Sequence, residues 1–544
     1  MASTVPPASA EQSGHMTHRQ VLEAMSGLLL AMFVAMLSST VVSNALPRIV
    51  TDLDGSQTGY TWVVVATLLT MTATTPIWGK LADLFDKKLL VQTALVIYSI
   101  ASLVAAFAPS MEVLIGARAA QGLGVGGLTA LVQVVIASMI SPRERGRYSG
   151  YIGAVFAVAT VSGPLIGGLI VDSPLGWRGC FFIGLPFAVL SFVVMQRTLH
   201  LPVVRRDVSI DYLGATLLVG AVSLLLVWVS LGGSTFDWRS TTSYLLVAGT
   251  LLVGAAAIYV EAAVASEPVV PMRLFADRTL VLATIASVMI GVAMFGSTVY
   301  LSQYFQLSRG MSPTEAGLMS IAMVGGLLVM SITSGRRIST TGVWKRWLVG
   351  GLAFVCIGFA LLGTIDAKTS LWWVGAFMLV LGLGLGATMQ NLVLAVQNNV
   401  PLADLGAASS VVAFFRSMGG SIGVAVLGAV LSHDVERNLA DGVERLVASG
   451  DVSRRELEAL QHSTGSIPDP SQLPAAVRAV YETAFGDAFG HIFWVATPLA
   501  AVAFVCVLLI REVPLRTTLD TEAPPAPLSA QDAVTGPDGD RLPR

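Results

Sequence analysis

Charged residues make up only 12% of this 544-residue chain, about half the roughly 25% usual in soluble domains. A chain so short of ionised groups cannot cover a water-facing surface of this size, which excludes an ordinary soluble protein. Cysteine is almost as scarce. Cys180, Cys356 and Cys506 stand in separate apolar segments with no CxxC or Cys/His spacing, so buried packing is expected and neither a disulfide framework nor a metal site. No GxxxxGK[ST] occurs, which removes the usual nucleotide cradle. No catalytic constellation, cofactor, nucleotide or nucleic-acid partner is expected.

What the chain has in abundance is apolar length. Hydrophobic residues reach 54%, mean hydropathy is +0.74, and fourteen apolar stretches of about twenty residues follow one another from 24–46 to 406–431 and 487–511. A helix rising about 1.5 Å per residue needs roughly twenty such residues to cross a hydrocarbon core about 30 Å thick. The expectation is an all-α polytopic membrane protein with fourteen transmembrane helices. The first stretch follows a polar start and lacks a small-residue cleavage site, so it reads as a retained helix. Residues 1–18 and 517–544, rich in Pro, Ala, Ser and Asp, read as disordered tails.

Lys and Arg set the orientation. With the N-terminus inside, twenty of the thirty-two fall on the cytoplasmic side, against five in the short external loops (Arg48, Arg178, Arg239, Arg309 and Lys368). Both termini are therefore expected in the cytoplasm, with the protein multi-pass in the cell membrane and the bilayer as its surroundings. The long segment 432–486 is expected to be an external loop, solvated, with helical composition from Val443 to His462.

Only two full charges fall well inside the apolar stretches, Arg118 and Arg416. A central arginine costs at least about 2.5–3.5 kcal/mol on insertion scales, so each needs a polar cavity or partner. The chain also repeats at an offset near 260 residues. Gly122-Leu-Gly-Val-Gly-Gly127 aligns with Gly382-Leu-Gly-Leu-Gly-Ala387, Gly163 with Gly423, Pro142 and Gly146 with Pro401 and Gly406, and Gly79 with Gly335. Two six-helix bundles in parallel repeat follow, with two helices inserted between them. The expected divisions are a cytoplasmic tail 1–23, a first bundle 24–198, a linker with the inserted helices 199–278, a second bundle 279–511 carrying the loop 432–486, and a tail 512–544. Both arginines are then expected to face the passage between the bundles.

Three segments resemble signatures of the major facilitator superfamily. Gly79-Lys-Leu-Ala-Asp83-Leu-Phe-Asp-Lys87-Lys88 is similar to its cytoplasmic loop, with Asp86 where glycine is usual. Leu114-Ile-Gly-Ala-Arg118-Ala-Ala-Gln121-Gly122 resembles its fourth-helix motif, and Gly163-Pro164-Leu-Ile-Gly167-Gly168 the fifth-helix motif of its exporters. Glycines four apart permit close helix approach, and the proline bends its helix. Softer matches run from about residue 37 to 431. They include Trp177-Arg178, Asp211-Tyr-Leu-Gly214, Glu261 through Pro268, and Ser312-Pro313, and they resemble the fourteen-helix drug:proton antiporter branch.

The resemblance implies a secondary exporter of amphiphilic drugs or antibiotics working by alternating access with proton antiport. It gives Asp83 and Lys87 a latch role, Arg118 a part in the proton step, and Gly163, Pro164, Gly167 and Gly168 a conformational role. A dedicated natural-product self-resistance exporter, or a non-transporting sensor or scaffold, stays open as an alternative.

One departure is prominent. Helix one carries Ser38 where the branch commonly has a proton-carrying aspartate, and a serine cannot titrate at accessible pH. No Asp or Glu occupies the middle of any apolar stretch; Glu112 reads as a boundary charge and His491 as a satisfied interfacial residue. The substrate cavity is expected to draw on Ser38, Thr40, Asn44, Gln121, Gln303, Gln306, Gln390, Asn391 and Arg416, with Gln397 a further candidate.

Overall fold

Each apolar run folds as a helix because a backbone in lipid must satisfy its own hydrogen bonds. The computed structural model describes residues 18–53, 57–171, 173–199, 211–233, 235–449 and 475–517. The first half holds α1 (His18–Asp52), α2 (Gln57–Leu84), α3 (Lys87–Ala106), α4 (Met111–Met139), α5 (Pro142–Val171), and the consecutive α6 (Gly179–Phe182) and α7 (Gly184–Thr198). Next come α8 (Tyr212–Leu231) and α9 (Thr241–Tyr259), then α10 (Arg278–Gln303), α11 (Pro313–Met319), α12 (Ile321–Thr341), α13 (Lys345–Leu362) and α14 (Leu371–Asn399). The chain continues as α15 (Leu405–Ser449) and α16 (Ala475–Leu509).

Thirteen described helical segments are long and apolar enough to cross a membrane, α6 and α7 counting as one span and α11 and α12 as another. The remaining helix, α5, has 30 residues and a length of about 45 Å. It brings the number to the fourteen read from the sequence. The expected tails lie for the most part outside the described residues, although α1 already begins at His18.

Local chemistry fixes the ends. Asp86 caps α3 by accepting the Lys88 N–H at 2.8 Å, with φ −59. The position where the resemblance expects glycine therefore needs no positive φ. Ser312 and Glu315 form a capping box on α11, and Gly342 ends α12 at φ 74.

Buried apolar side chains gather by half. Two clusters draw on residues 21–199 and one large cluster almost wholly on residues 274–515. The halves meet along two seams, α2 against α15 and α5 against α12. The inserted α8 lies across the first seam, where Val222 and Leu226 pack with Ala73 of α2 and Phe414 of α15. α9 packs on α8, and its Leu245, Leu251 and Leu252 are exposed.

The glycine repeat explains the packing inside each half. A Cβ on Gly126 would stand 2.7 Å from the Met71 carbonyl of α2, and one on Gly386 would collide with the Leu327 carbonyl of α12. Each half thus presses its Gly-rich helix, α4 or α14, against the matching seam helix at matching glycines.

The segment 432–486 differs from the expected external loop. α15 runs unbroken to Ser449 and α16 starts at Ala475, leaving only 450–474 between them, outside the described residues. At 45 residues, α15 is about 67 Å long and must project beyond a core about 30 Å thick. The projection holds because Val435 is buried and Leu439 half-buried against Tyr481 and Phe485 of α16 in the second-half cluster. His491 is tied to the same element: its Nδ1 lies 2.5 Å from Oδ2 of the buried Asp434.

Candidate functional site

A cavity of about 1430 Å³, part of it open space, lies between the halves. Eight helices line it, α1, α2, α4 and α5 from one half and α10, α12, α14 and α15 from the other. Its walls carry five methionines (Met32, Met36, Met71, Met294, Met389) and the rings of Phe156 and Phe295. Polar relief comes from hydroxyls, among them Thr40, Thr129 and Ser417, and from two amides, Gln133 of α4 donating to Gln390 of α14 at 3.3 Å across the floor. Flexible thioethers and aromatic faces suit varied apolar shapes. Among the described residues no Asp or Glu lines the cavity, and Arg416 is its one full charge, with no acidic partner.

The sequence candidates divide three ways. Thr40, Gln390 and Arg416 line the cavity. Asn44 lies outside the described side chains. Ser38, Gln121, Gln303, Gln306 and Asn391 are not on the lining. Ser38 misses because successive residues of a helix point about 100° apart, and Ser39 and Thr40 take the cavity face instead. Gln306 donates to the carbonyl and hydroxyl of Ser302. Asn391 is buried against the Ser334 hydroxyl and the Ala387 carbonyl. Gln397 accepts from Arg145 and donates to Ser409 at 2.8 Å, which ties α5 to α14 below the cavity. Gln133 and the methionines were missed, since a lone amide or thioether on a Gly-rich helix carries no spacing signal.

Arg118 departs from expectation. It does not face the passage; it is 4% exposed and enclosed by α2, α3 and α4. Its Nε donates to the Val63 carbonyl at 3.3 Å and its guanidinium to Gln121 Oε1 at 2.5 Å, while Gln121 donates to Ser102 at 2.8 Å. The Tyr98 hydroxyl stands beside Ser38, Ser102 and Gln121. Arg118 therefore meets its partner requirement through neutral oxygens inside one half. Glu112 is exposed and takes no part. The position of the branch's usual aspartate opens on this Tyr98–Arg118 cluster and not on the cavity.

At the end of α2 that carries Gly79 and Asp83, direct contacts with α15 bridge the halves and close the passage there. Asp83 Oδ1 accepts the Gly406 N–H and Oδ2 the Ala407 N–H, each at 2.8 Å, so the carboxylate of α2 caps the N-terminus of α15. Free N–H groups and the helix dipole make such an end a natural anion site. Gly406 is required there, because a Cβ would collide with the Gly79 carbonyl and stand 2.5 Å from Asp83 Oδ1. On the other seam, a Cβ on Gly146 would stand 2.5 Å from the Gly335 carbonyl. The four glycines that match in sequence thus meet crosswise, 79 with 406 and 146 with 335. Lys87 makes no ion pair among the described residues; Lys80 does, with Glu267 at 2.6 Å.

In the fifth-helix motif Gly163 and Gly167 press on Thr40 and Val41 of α1, whereas Gly168 faces open space and the Pro164 side chain lies outside the described ones. Among the described residues no group of three His, Cys, Asp or Glu is placed to hold a metal.

Comparison with known proteins matches this architecture. The chain is 32% identical over 521 residues to the multidrug transporter protein MdtP of Bacillus subtilis (strain 168), covering 93% of this chain and 95% of the relative. It is 32% identical over 507 residues to the efflux pump dotC of Dothistroma septosporum, covering 91% and 84%. Among solved structures, the proton:xylose symporter XylE superposes with a TM-score of 0.60 at 13% identity, covering 90% of this chain and 95% of that one. A model of the Major Facilitator Superfamily matches residues 28–424. With its paired bundles, cross-seam glycines and capped α15, the chain belongs to the Major Facilitator Superfamily and is a multi-pass membrane transporter, not an enzyme.

Proposed function

We propose that this protein is a secondary exporter that carries amphiphilic organic molecules across the cell membrane by alternating access through the central cavity, in exchange for protons. The observation that carries the reading is the cavity itself. It sits on both seams, is closed at one end by contacts that cross them, and offers a thioether and aromatic wall with Arg416 as its one charge. Rocking the halves about these seams exposes the same residues to either side. The relatives named as a multidrug transporter and an efflux pump support the outward direction, as does the resemblance of Gly163-Pro164-Leu-Ile-Gly167-Gly168 to the exporters' fifth-helix motif.

Arg416 sets the substrate class. Its positive field in a low-dielectric cavity repels lipophilic dications and favours neutral or anionic aromatics. The lack of a nucleotide motif supports an ion gradient as the energy source. The positive-inside count supports cytoplasmic termini, which makes the closed end the cytoplasmic one.

Efflux from cells expressing the wild type, Arg416→Ala and Ser38→Ala tests this reading. Arg416→Ala is expected to lose anionic aromatics preferentially and to gain dications. Ser38→Ala, off the cavity, is expected to keep the wild-type profile. Loss of dication export in Arg416→Ala at unchanged protein level contradicts the assignment.

A further inference from the structure

The segment joining the inserted helices to α10 is held to the closed end through two acids that the cavity does not use. Asp211 caps α8, its Oδ1 accepting the Gly214 N–H at 2.8 Å. Glu261 lies in the π-turn that ends α9, is 4% exposed, and accepts the Val270 N–H on Oε2 at 3.0 Å. Each acid has a second oxygen, Asp211 Oδ2 and Glu261 Oε1, that is buried and has no hydrogen-bond partner among the described residues. Both of these oxygens stand within 2.9 Å of the point a Cβ would occupy on Gly214. Gly214 is what allows them to converge, since any side chain there would fill the space between them.

Glu261 is buried, Asp211 is half-buried, and the two buried oxygens converge on Gly214, so negative charge on both would be repulsive where water is excluded. The charged groups facing Glu261 are Asp211 from α8 and Lys80 from α2, and Lys80 is already engaged by Glu267. One proton resolves the arrangement. It turns the pair into an O–H donor and an acceptor and satisfies both orphan oxygens at once.

We propose that Asp211 and Glu261 hold a single shared proton between Oδ2 and Oε1, and that this pair is a protonation site controlling the closed end of the transporter. The inference rests on the proton-driven exporter reading and supplies that reading with an acid. Glu261 orients the segment that carries Glu267, the partner of Lys80 on α2, and Val269 and Val270, which pack with Ile77 of α2 and Val411 of α15. When the proton leaves, the pair goes from one negative charge to two. Repulsion then pushes the carboxylates apart, frees the Val270 N–H and loosens the packing over the α2–α15 seam. When a proton returns, the seam closes.

Infrared spectroscopy of the full-length protein in lipid nanodiscs at neutral pH tests the assignment. The wild type is expected to show the C=O stretch of a protonated carboxylic acid, and both Asp211→Asn and Glu261→Gln are expected to lose it, since the new amide supplies the hydrogen and leaves the remaining acid ionised. The same amide keeps the pair bonded, so both variants are expected to melt near the wild type, and either one carries the test if the other fails to fold. Absence of the band in the wild type, or its persistence in a folded variant, overturns the proposal. Efflux measured in parallel separates the two readings. Wild-type efflux indifferent to the proton gradient refutes antiport, whereas a band unaffected by the substitutions refutes the acid pair alone.

Discussion

At the scale of single residues, the closed end depends on one carboxylate. Asp83 accepts two backbone N–H groups at the head of α15, and hydrogen bonds to a charged group contribute about 1.5–3 kcal/mol each. Asp83→Asn keeps the shape but removes the charge and one acceptor. We expect amide hydrogen exchange at Gly406 and Ala407 to quicken in that variant while the rest of α15 exchanges as in the wild type. Equal exchange at these two amides would mean that the cap does not hold the seam. Arg118 shows the opposite design, a buried cation held by neutral oxygens within one half. Its sequence position alone suggested a cavity residue. The direction of its side chain depends on how α2 and α3 flank α4, which periodicity on one helix does not reveal.

At the scale of elements, the sequence was most legible where backbone meets backbone. The glycines that aligned between the halves all sit at close helix contacts, some crossing the seams, some pressing α4 and α14 onto their neighbours, and Gly163 and Gly423 pressing on α1 and α10, because close approach leaves no room for a Cβ and so writes itself into residue type. The cavity was less legible. Thr40, Gln390 and Arg416 line it, but most of its wall is methionine and other apolar residues that look the same facing lipid, core or substrate. The extension of α15 was hidden by its charges. Asp434, Glu436 and Arg437 read as loop, although Val435 and Leu439 repeat at helical spacing and pack on α16. Val435→Asp places an unpaired carboxylate in that contact, which costs at least the ~1–3 kcal/mol of an uncompensated neutral polar group. We expect brief trypsin treatment to cut at Arg437 and Arg445 in the variant and to spare both in the wild type.

At the scale of the whole molecule, the account requires the two seams to part and close during every cycle. The α5–α12 seam offers the cleanest way to prevent this. A Cβ on Gly150 would stand 3.4 Å from the Ile332 Cβ, near the roughly 3.8 Å separation of disulfide Cβ atoms. With Cys180, Cys356 and Cys506 replaced, the pair Gly150→Cys and Ile332→Cys is expected to cross-link on oxidation. The decisive measurement is efflux of a fluorescent amphiphile by this variant before oxidation, after it, and after reduction. Alternating access predicts that the cross-linked protein stops exporting and that reduction restores it; undiminished efflux from fully cross-linked protein would contradict the account.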